Sequence, residues 1–311
     1  MPIILILIIL SLTHINLIVC QGIYLDLNQL SQWRPNYATS ESIELRYKNI
    51  SNIEKNAFNG LVNLTDLDLS GNKLVSFEPE LFDTLINLRG LSFKDNTLTS
   101  IKANSFKNLN QLNYLYLHNN NLKQIDTNAF DSLEQIQELL LSSNQLTQIE
   151  PTLFSRLANL VELSLWDNQI ATIDARTFSS LINLERLYLG RNLLKTIEPN
   201  TFSNLTNLKE LYLNYNNFVS LDSWFDSLTS LQTLRFDENR LSKLDKPIFG
   251  KLVNLVNLWL TDNNLVSINR DLAKNLANLE YLWLMNNPIS TLEPSLASQL
   301  CVSNDKCKVI I

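Results

Sequence analysis

Aromatic and arginine side chains recur in this sequence at a regular spacing, and their chemistry is that of non-covalent binding. Trp, Tyr and Arg dominate binding hot spots because they bury a large area with little loss of rotamer freedom and keep a polar group. We predict a partner-binding surface made of Tyr114, Tyr116, Trp166, Arg186, Tyr188, Tyr212, Arg235, Trp259, Tyr281 and Trp283. The densest predicted patches are Tyr188, Tyr212 and Arg235, and Trp259, Tyr281 and Trp283. The alternative interpretation is that these rings only stabilise neighbouring strands.

The residues that catalysis would need are few. Beyond the apolar first segment the chain has one histidine, His118, so neither a Ser-His-Asp arrangement nor a His-rich zinc site can be built around several imidazoles. Carboxylates that could act as acid and base are Asp66 with Asp68 and Glu138 with Glu162. Solvated surface charge is the commoner role, and Asp237, Glu238 and Asp262 lack the spacing of an EF-hand calcium loop. We predict no catalytic residue, metal site or cofactor.

Copies of one repeat must position these side chains. The copy at Leu184 to Leu208 reads LERLYLGRNLLKTIEPNTFSNLTNL. Its apolar and polar residues alternate around Leu187 and Leu189, which predicts a half-buried strand with the leucines inward and Arg186, Tyr188 and Gly190 outward. One asparagine keeps a 24-residue period, with a single 23-residue step, at Asn72, Asn96, Asn120, Asn144, Asn168, Asn192, Asn216, Asn239, Asn263 and Asn287. We expect its amide to bond backbone groups of the adjacent turn.

The skeleton LxxLxLxxNxL at this fixed period resembles the leucine-rich repeat superfamily. Its 24-residue spacing and its phenylalanine resemble the extracellular subtype found in Slit, insect Toll, Toll-like receptors and small leucine-rich proteoglycans. The resemblance implies an α/β leucine-rich repeat solenoid, a curved right-handed superhelix with a parallel β-sheet on the concave face and loops or short helical turns on the convex face. A hydrophobic spine is expected from Phe58, Phe82, Phe106, Phe130, Phe154, Phe178, Phe202, Phe225 and Phe249. Where the period shortens, Trp224 is expected to fill the irregularity.

The sequence outside the repeats predicts a signal peptide and two caps. Residues 1–20 begin with an apolar run interrupted by polar residues, which favours a signal peptide cleaved after Cys20 over an uncleaved anchor. Residues 21–42 are predicted to be an N-terminal cap, 43–289 a solenoid of about 11 repeats, and 290–311 a C-terminal cap. Cleavage would leave Cys301 and Cys307, an even pair that we predict to form a disulfide; two free thiols are the alternative.

Three sequons, Asn49, Asn63 and Asn204, are candidate N-glycosylation sites if the chain is secreted. None of them lies in the predicted binding surface, and Asn204 is the most plausible of the three.

The formal charge of −6 argues against a nucleic acid partner, because phosphates need clustered Lys and Arg. We predict a secreted protein without enzymatic activity that binds an extracellular protein or receptor, or a microbial surface molecule, in adhesion, signalling or innate immunity. No membrane span is expected after signal cleavage. The alternatives are a structural matrix component that self-associates and a receptor-like protein held at the membrane by its uncleaved N-terminal segment.

Overall fold

In the computed structural model of the chain, parallel strands repeat through the described residues. The structure describes residues 22–244, 248–269, 271–272, 275–289 and 307–310. Its main sheet has twelve strands in the order β18-β17-β15-β13-β12-β11-β10-β9-β7-β5-β4-β2. These strands are Ser42–Glu44 (β2), Asp66–Asp68 (β4), Gly90–Ser92 (β5), Tyr114–Tyr116 (β7), Glu138–Leu140 (β9), Glu162–Ser164 (β10), Arg186–Tyr188 (β11), Glu210–Tyr212 (β12), Thr233–Arg235 (β13), Asn257–Trp259 (β15), Tyr281–Trp283 (β17) and Lys308–Ile310 (β18).

Short strands and turns make up the remaining regular structure. Two further pairs, β6 with β8 and β14 with β16, lie away from the main sheet, and β1 pairs with β3. Their bounds are Ile23–Leu25 (β1), Ile50–Ile53 (β3), Ser100–Ile101 (β6), Gln124–Ile125 (β8), Lys243–Leu244 (β14) and Ser267–Ile268 (β16). The helical elements of the described residues are one α-helix, Leu27–Trp33 (α1), and two 3₁₀ turns, Tyr37–Thr39 and Pro79–Phe82. The solenoid of about 11 turns and its fold class are therefore confirmed, with little helix.

The register of the main sheet repeats once per turn. Leu163 pairs with Leu187, and Leu187 pairs with Leu211, so equivalent residues form straight columns across the strands. The leucines are fully buried while their outward neighbours, such as Arg186 and Tyr188, are half-buried. Because the strands lie about 4.8 Å apart and the other side of each turn is bulkier, the outward columns form the concave face.

The repeated asparagine connects each turn to the one before it. In the turn of Asn192, Oδ1 accepts from the backbone N–H of Ile170 at 3.0 Å, and Nδ2 donates to the carbonyls of Leu165 at 2.9 Å and Leu189 at 3.1 Å. Asn72 serves the first turn in the same way, accepting from the Ile50 N–H at 3.0 Å. The predicted bonding to the adjacent turn is confirmed, and it satisfies polar groups that burial would otherwise leave without a partner.

The phenylalanine spine is confirmed. Phe82, Phe106 and Phe130 stack at centroid distances of 6.3 and 6.1 Å, and Phe154, Phe178 and Phe202 at 6.4 and 6.3 Å. All nine spine residues are fully buried.

At the 23-residue step the packing changes. Trp224 lies half-buried between Phe218 at 5.6 Å and Phe225 at 6.1 Å, so it fills the irregularity as expected.

A second asparagine column, not anticipated from the sequence, lies on the exposed side. The side chain of Asn183 donates to the carbonyl of Ala158 at 3.0 Å, and that of Asn254 to Thr229 at 2.8 Å. The same bond is made by Asn87, Asn159, Asn207 and Asn278. The signal in the sequence is an Asn-Leu dipeptide at the repeat period.

The segment before the repeats packs on the first turn. Leu25 and Leu30 are fully buried, and Trp33 and Tyr37 pack against the core. The guanidinium of Arg34 donates to the carbonyl of Glu44 at 2.6 Å, which covers part of the edge of β2. These contacts support residues 21–42 as the proposed N-terminal cap.

At the other end, the last described residues extend the main sheet. Lys308, Val309 and Ile310 pair in parallel with Tyr281, Leu282 and Trp283. The repeat pattern does not reach these residues, so sequence reasoning did not identify this strand. Most of the predicted C-terminal cap, residues 290–306, lies outside the described part of the chain.

Candidate binding surface

Five side chains on successive strands of the concave face form one continuous column, which we call the aromatic ladder: Tyr188, Tyr212, Arg235, Trp259 and Trp283. The rings of Tyr188 and Tyr212 meet nearly at right angles, 4.9 Å apart. The guanidinium of Arg235 lies 5.6 Å from the ring centres of both Tyr212 and Trp259. Trp259 and Trp283 stack in parallel at 6.0 Å. The two patches predicted from the sequence are thus joined through Arg235.

The aromatic ladder continues sideways at its C-terminal end. Tyr281 stacks on Trp283 at 6.0 Å, and Nζ of Lys308 lies 5.7 Å from the Tyr281 ring centre. All ring members of the ladder are half-buried and each contacts a neighbouring member, so they combine a fixed geometry with an open side.

Arg235 is held more firmly than its neighbours. Its Nε and Nη2 donate to the two carboxylate oxygens of Asp237 at 2.9 and 2.7 Å. Asp237 is only 5% exposed and also accepts from Nδ2 of Asn214 at 3.3 Å. The fork geometry and the two flanking rings leave Arg235 little freedom, so its role includes positioning the ladder.

A depression of about 310 Å³ lies beside the ladder and is lined by Ser142, Ser164, Trp166, Tyr188, Tyr212 and Arg235. We call it the aromatic hollow. Trp166 forms one wall by lying across Gly190, where any side chain would overlap its ring. Its ring meets Tyr215 edge-on at 6.2 Å. The hollow exists because serine and glycine occupy outward positions that other turns fill with larger side chains.

A second depression of about 270 Å³ lies at the N-terminal end of the concave face. There the Tyr114 ring lies across Gly90 and its hydroxyl donates to Asp66. This bond, with burial and the charge of Asp66, raises the pKa of Tyr114 to about 12. Asp68 is paired with Arg46 at 2.5 Å. We call this depression the acidic hollow.

One outward column beside the aromatic hollow carries an excess of negative charge: Glu138, Glu162, Arg186 and Glu210. Arg186 donates to Glu162 at 2.7 Å, and Glu138 accepts from the Tyr116 hydroxyl at 3.1 Å. Burial, and to a lesser degree the neighbouring Glu162, raises the pKa of Glu138. The hydrogen bond from Tyr116 and the charge of Arg186 offset this shift only in part.

Two family models match the sequence and together cover most of the chain. The leucine-rich repeat model matches residues 41–96, 86–146, 110–170, 135–181 and 158–218, and the BspA-type leucine-rich repeat region matches residues 195–301. The chain belongs to the leucine-rich repeat family. No curated protein matches this leucine-rich repeat chain significantly in sequence.

Solved leucine-rich repeat structures resemble the chain along most of its length. Toll in the Drosophila Toll–Spatzle complex has 27% sequence identity and a TM-score of 0.78, over 86% of this chain and 37% of that chain. TLR13 in its complex with ssRNA13 has 25% identity and a TM-score of 0.69, over 86% and 43%. A chain in the octameric complex of Latrophilin 3, Unc5D and the leucine-rich repeat part of FLRT2 has 26% identity and a TM-score of 0.69, over 79% and 75%. The chain thus spans less than half the length of the matched Toll and TLR13 chains.

The remaining predicted binding residues of this leucine-rich repeat chain lie outside the aromatic ladder. Tyr114 and Tyr116 stack at 5.8 Å in the acidic hollow, and Arg186 lies in the charged column. The residues that shape the hollows, Gly90, Gly190, Ser142 and Ser164, were missed. Their signal was visible, since the chain has six glycines and two of them stand at outward positions of the sheet.

His118 is half-buried against Tyr116 at 5.9 Å, and burial followed by the charge of Lys94 lowers its pKa. Its Nδ1 is buried without a hydrogen-bond partner in the described residues. The described part of the chain contains no group of three or more His, Cys, Asp or Glu side chains placed to bind a metal ion.

The predicted modification sites differ in exposure. Asn63 and Asn204 are exposed, and Nδ2 of Asn204 donates to the Ser179 carbonyl at 2.7 Å. Asn49 is half-buried, with a positive φ of 58°.

Cys307 packs half-buried against the core, whereas Cys301 lies outside the described residues, so their pairing stays a prediction. Within the described residues, no helix has the length and apolar character to cross a membrane.

Proposed function

We propose that this chain is a secreted leucine-rich repeat module that recognises an extracellular protein through its concave face and has no catalytic role. The observation that carries the proposal is the aromatic ladder. Five large side chains on successive strands, from Tyr188 to Trp283, contact each other and keep one side open. Rigid Trp, Tyr and Arg side chains of this kind supply binding energy at low entropic cost.

The resemblance to solved complexes supports a protein as the partner. The Toll and FLRT2 structures were both determined in complexes with other proteins. TLR13 was solved with single-stranded RNA, but the net charge of −6 and the carboxylates beside the aromatic hollow oppose binding of a polyphosphate here.

Secretion is part of the proposal and rests on the character of residues 1–20. Mass spectrometry of the protein from a secreting cell tests it directly. A mature chain beginning at Gln21 supports a cleaved signal peptide, and a chain that retains residues 1–20 supports the membrane-held alternative instead.

The function is tested by affinity capture from extracellular fluid. The full chain is compared with the double variant Trp259→Ala, Trp283→Ala and with Tyr24→Ala, an exposed aromatic residue of β1 away from the ladder. We expect a specific partner that is retained by the wild type and by Tyr24→Ala and is lost from the double variant. Circular dichroism must show that the double variant is folded.

Unchanged partners with an altered oligomer size in the double variant would favour a self-associating structural component. Size-exclusion chromatography with light scattering gives that second readout on the same samples.

A further inference from the structure

The aromatic hollow has the shape and lining of a receptor site for one side chain. Ser164 stands in the same outward column as Tyr188 and Tyr212, and Gly190 lies beneath the Trp166 ring. Ser142 and Ser164 are the small residues of the lining, and the rings of Trp166, Tyr188 and Tyr212 complete it together with Arg235. With about 310 Å³ and a largely apolar lining, the hollow has room for one aliphatic side chain.

The charges around the hollow are not balanced. On one side, the positive charge of Arg235 is neutralised by Asp237. On the other side, Arg186 pairs with Glu162. Glu138 and Glu210 remain without an ion-pair partner in the described part of the chain, and each lies beside a tyrosine hydroxyl, that of Tyr116 or Tyr212.

The spacing of these two carboxylates matches an extended peptide. Glu138 lies on β9 and Glu210 on β12, so three strand spacings, or about 14 Å, separate them. The hollow lies in the adjoining outward columns, to one side of the line that joins the two carboxylates. In an extended chain the residues two before and two after a given residue point to the same side and span about 13.6 Å.

We propose that the concave face recognises a protein segment of the pattern basic-x-aliphatic-x-basic, running across the strands. The aliphatic side chain fills the aromatic hollow, and the flanking Lys or Arg side chains, which are long and flexible, extend to the adjoining column and pair with Glu138 and Glu210. This assignment rests on the proposed function and adds the chemistry of the partner. Acidic residues at the flanking positions are disfavoured because they repel Glu138 and Glu210. A glycine at the central position is disfavoured because it leaves the hollow unfilled.

The test measures the binding of three peptides to the full chain by saturation-transfer NMR. The reference peptide is acetyl-Lys-Ser-Leu-Ser-Lys-amide, and its counterparts carry Gly for Leu or Glu for both Lys. We expect the reference peptide to bind with a dissociation constant of about 1 mM, and both counterparts to bind at least about fivefold more weakly. Equal binding of the three peptides would overturn the proposal.

Variants of the protein locate the binding. Ser164→Leu fills the aromatic hollow, and Ser92→Leu makes the same change at the equivalent position of the acidic hollow. We expect Ser164→Leu to abolish binding of the reference peptide and Ser92→Leu to leave it unchanged. The paired variant Glu138→Gln, Glu210→Gln keeps side-chain volume and should remove the preference for Lys over Glu, so the test does not depend on Ser164→Leu folding.

The two proposals can fail separately. If the captured partner is lost from Trp259→Ala, Trp283→Ala but is retained by Glu138→Gln, Glu210→Gln, the pattern proposed here is wrong and recognition by the concave face still stands. If the reference peptide binds as expected while the tryptophan variant retains every partner, the aromatic hollow is a site and the role given to the ladder is wrong.

Discussion

The hydroxyl of Tyr114 donates to the carboxylate of Asp66, two strands away, by crossing over Gly90 in the strand between them. A methyl group at position 90 overlaps both partners, so Gly90→Ala should push Tyr114 off Asp66. We expect the pKa of Tyr114 to fall from about 12 towards the ordinary 10.0.

Spectrophotometric titration of the tyrosines measures this change, with Tyr114→Phe identifying the Tyr114 signal. A raised pKa in the folded state stabilises the fold below the unfolded pKa, and this stability is lost as pH rises through the folded value. The decline in the free energy of unfolding between about pH 10 and 12 should therefore be smaller in Gly90→Ala than in the wild type. An unchanged titration curve would contradict the crossing geometry.

Replacing asparagine by alanine should destabilise the fold much more in the buried asparagine column than in the exposed one. Asn168 accepts from the Leu146 N–H at 3.0 Å and donates to the carbonyl of Leu141 at 3.1 Å, in a buried setting. Asn183 makes one exposed bond to Ala158. We expect Asn168→Ala to lower the free energy of unfolding by about 2–4 kcal/mol, because buried groups lose their partners, and Asn183→Ala by less than about 1 kcal/mol. Urea denaturation measures both, and similar losses would contradict the assignment.

Arg235 is predicted to stabilise the fold as well as the binding surface. Arg235→Ala leaves the carboxylate of Asp237 buried without its guanidinium, which should cost about 2–4 kcal/mol. The double variant Arg235→Ala, Asp237→Ala should be less destabilised than the sum of the single changes. Arg176→Ala, which breaks an exposed pair with Asp174, is the matched control and should cost nothing measurable. Additive effects in the Arg235 cycle would show that the pair is not coupled.

Glu138 is predicted to weaken the fold near neutral pH. Because burial raises its pKa, the folded state favours the protonated form, and ionisation at higher pH reduces stability. Glu138→Gln should raise the free energy of unfolding at pH 7 by about 0.5–1 kcal/mol and leave it nearly unchanged below the unfolded pKa. Denaturation at two pH values tests this, with Glu80→Gln, a surface carboxylate in the 3₁₀ turn Pro79–Phe82, as the control. A loss of stability at pH 7 would contradict it.

The sequence was sufficient for the parts of the fold that repeat. Leu187 and Asn192 occupy equivalent positions in every turn, so their burial and bonding follow from the period alone. The arrangement of the rings could not be derived in the same way, because Trp166 and Tyr114 take their positions from glycines one strand away. The pairing of Arg235 with Asp237 could have been predicted from the sequence, because residues two apart on a strand point to the same face.

The strand formed by Lys308–Ile310 could not be predicted from the sequence for another reason. Those residues carry no copy of the leucine and asparagine pattern, and only their pairing with Tyr281–Trp283 defines them as a turn of the sheet.

The inner asparagine column gives the solenoid a direction. Each of these side chains bonds the N–H and carbonyl groups of the preceding turn, as Asn192 does for Ile170 and Leu165. When a turn detaches at the C-terminal end, the N–H and carbonyl groups of the preceding turn lose their asparagine partner. When a turn detaches at the N-terminal end, it is the asparagine side chain of the following turn that loses its partners. The two ends of the solenoid therefore leave different groups without partners when they fray: backbone N–H and carbonyl groups at the C-terminal end and asparagine amides at the N-terminal end.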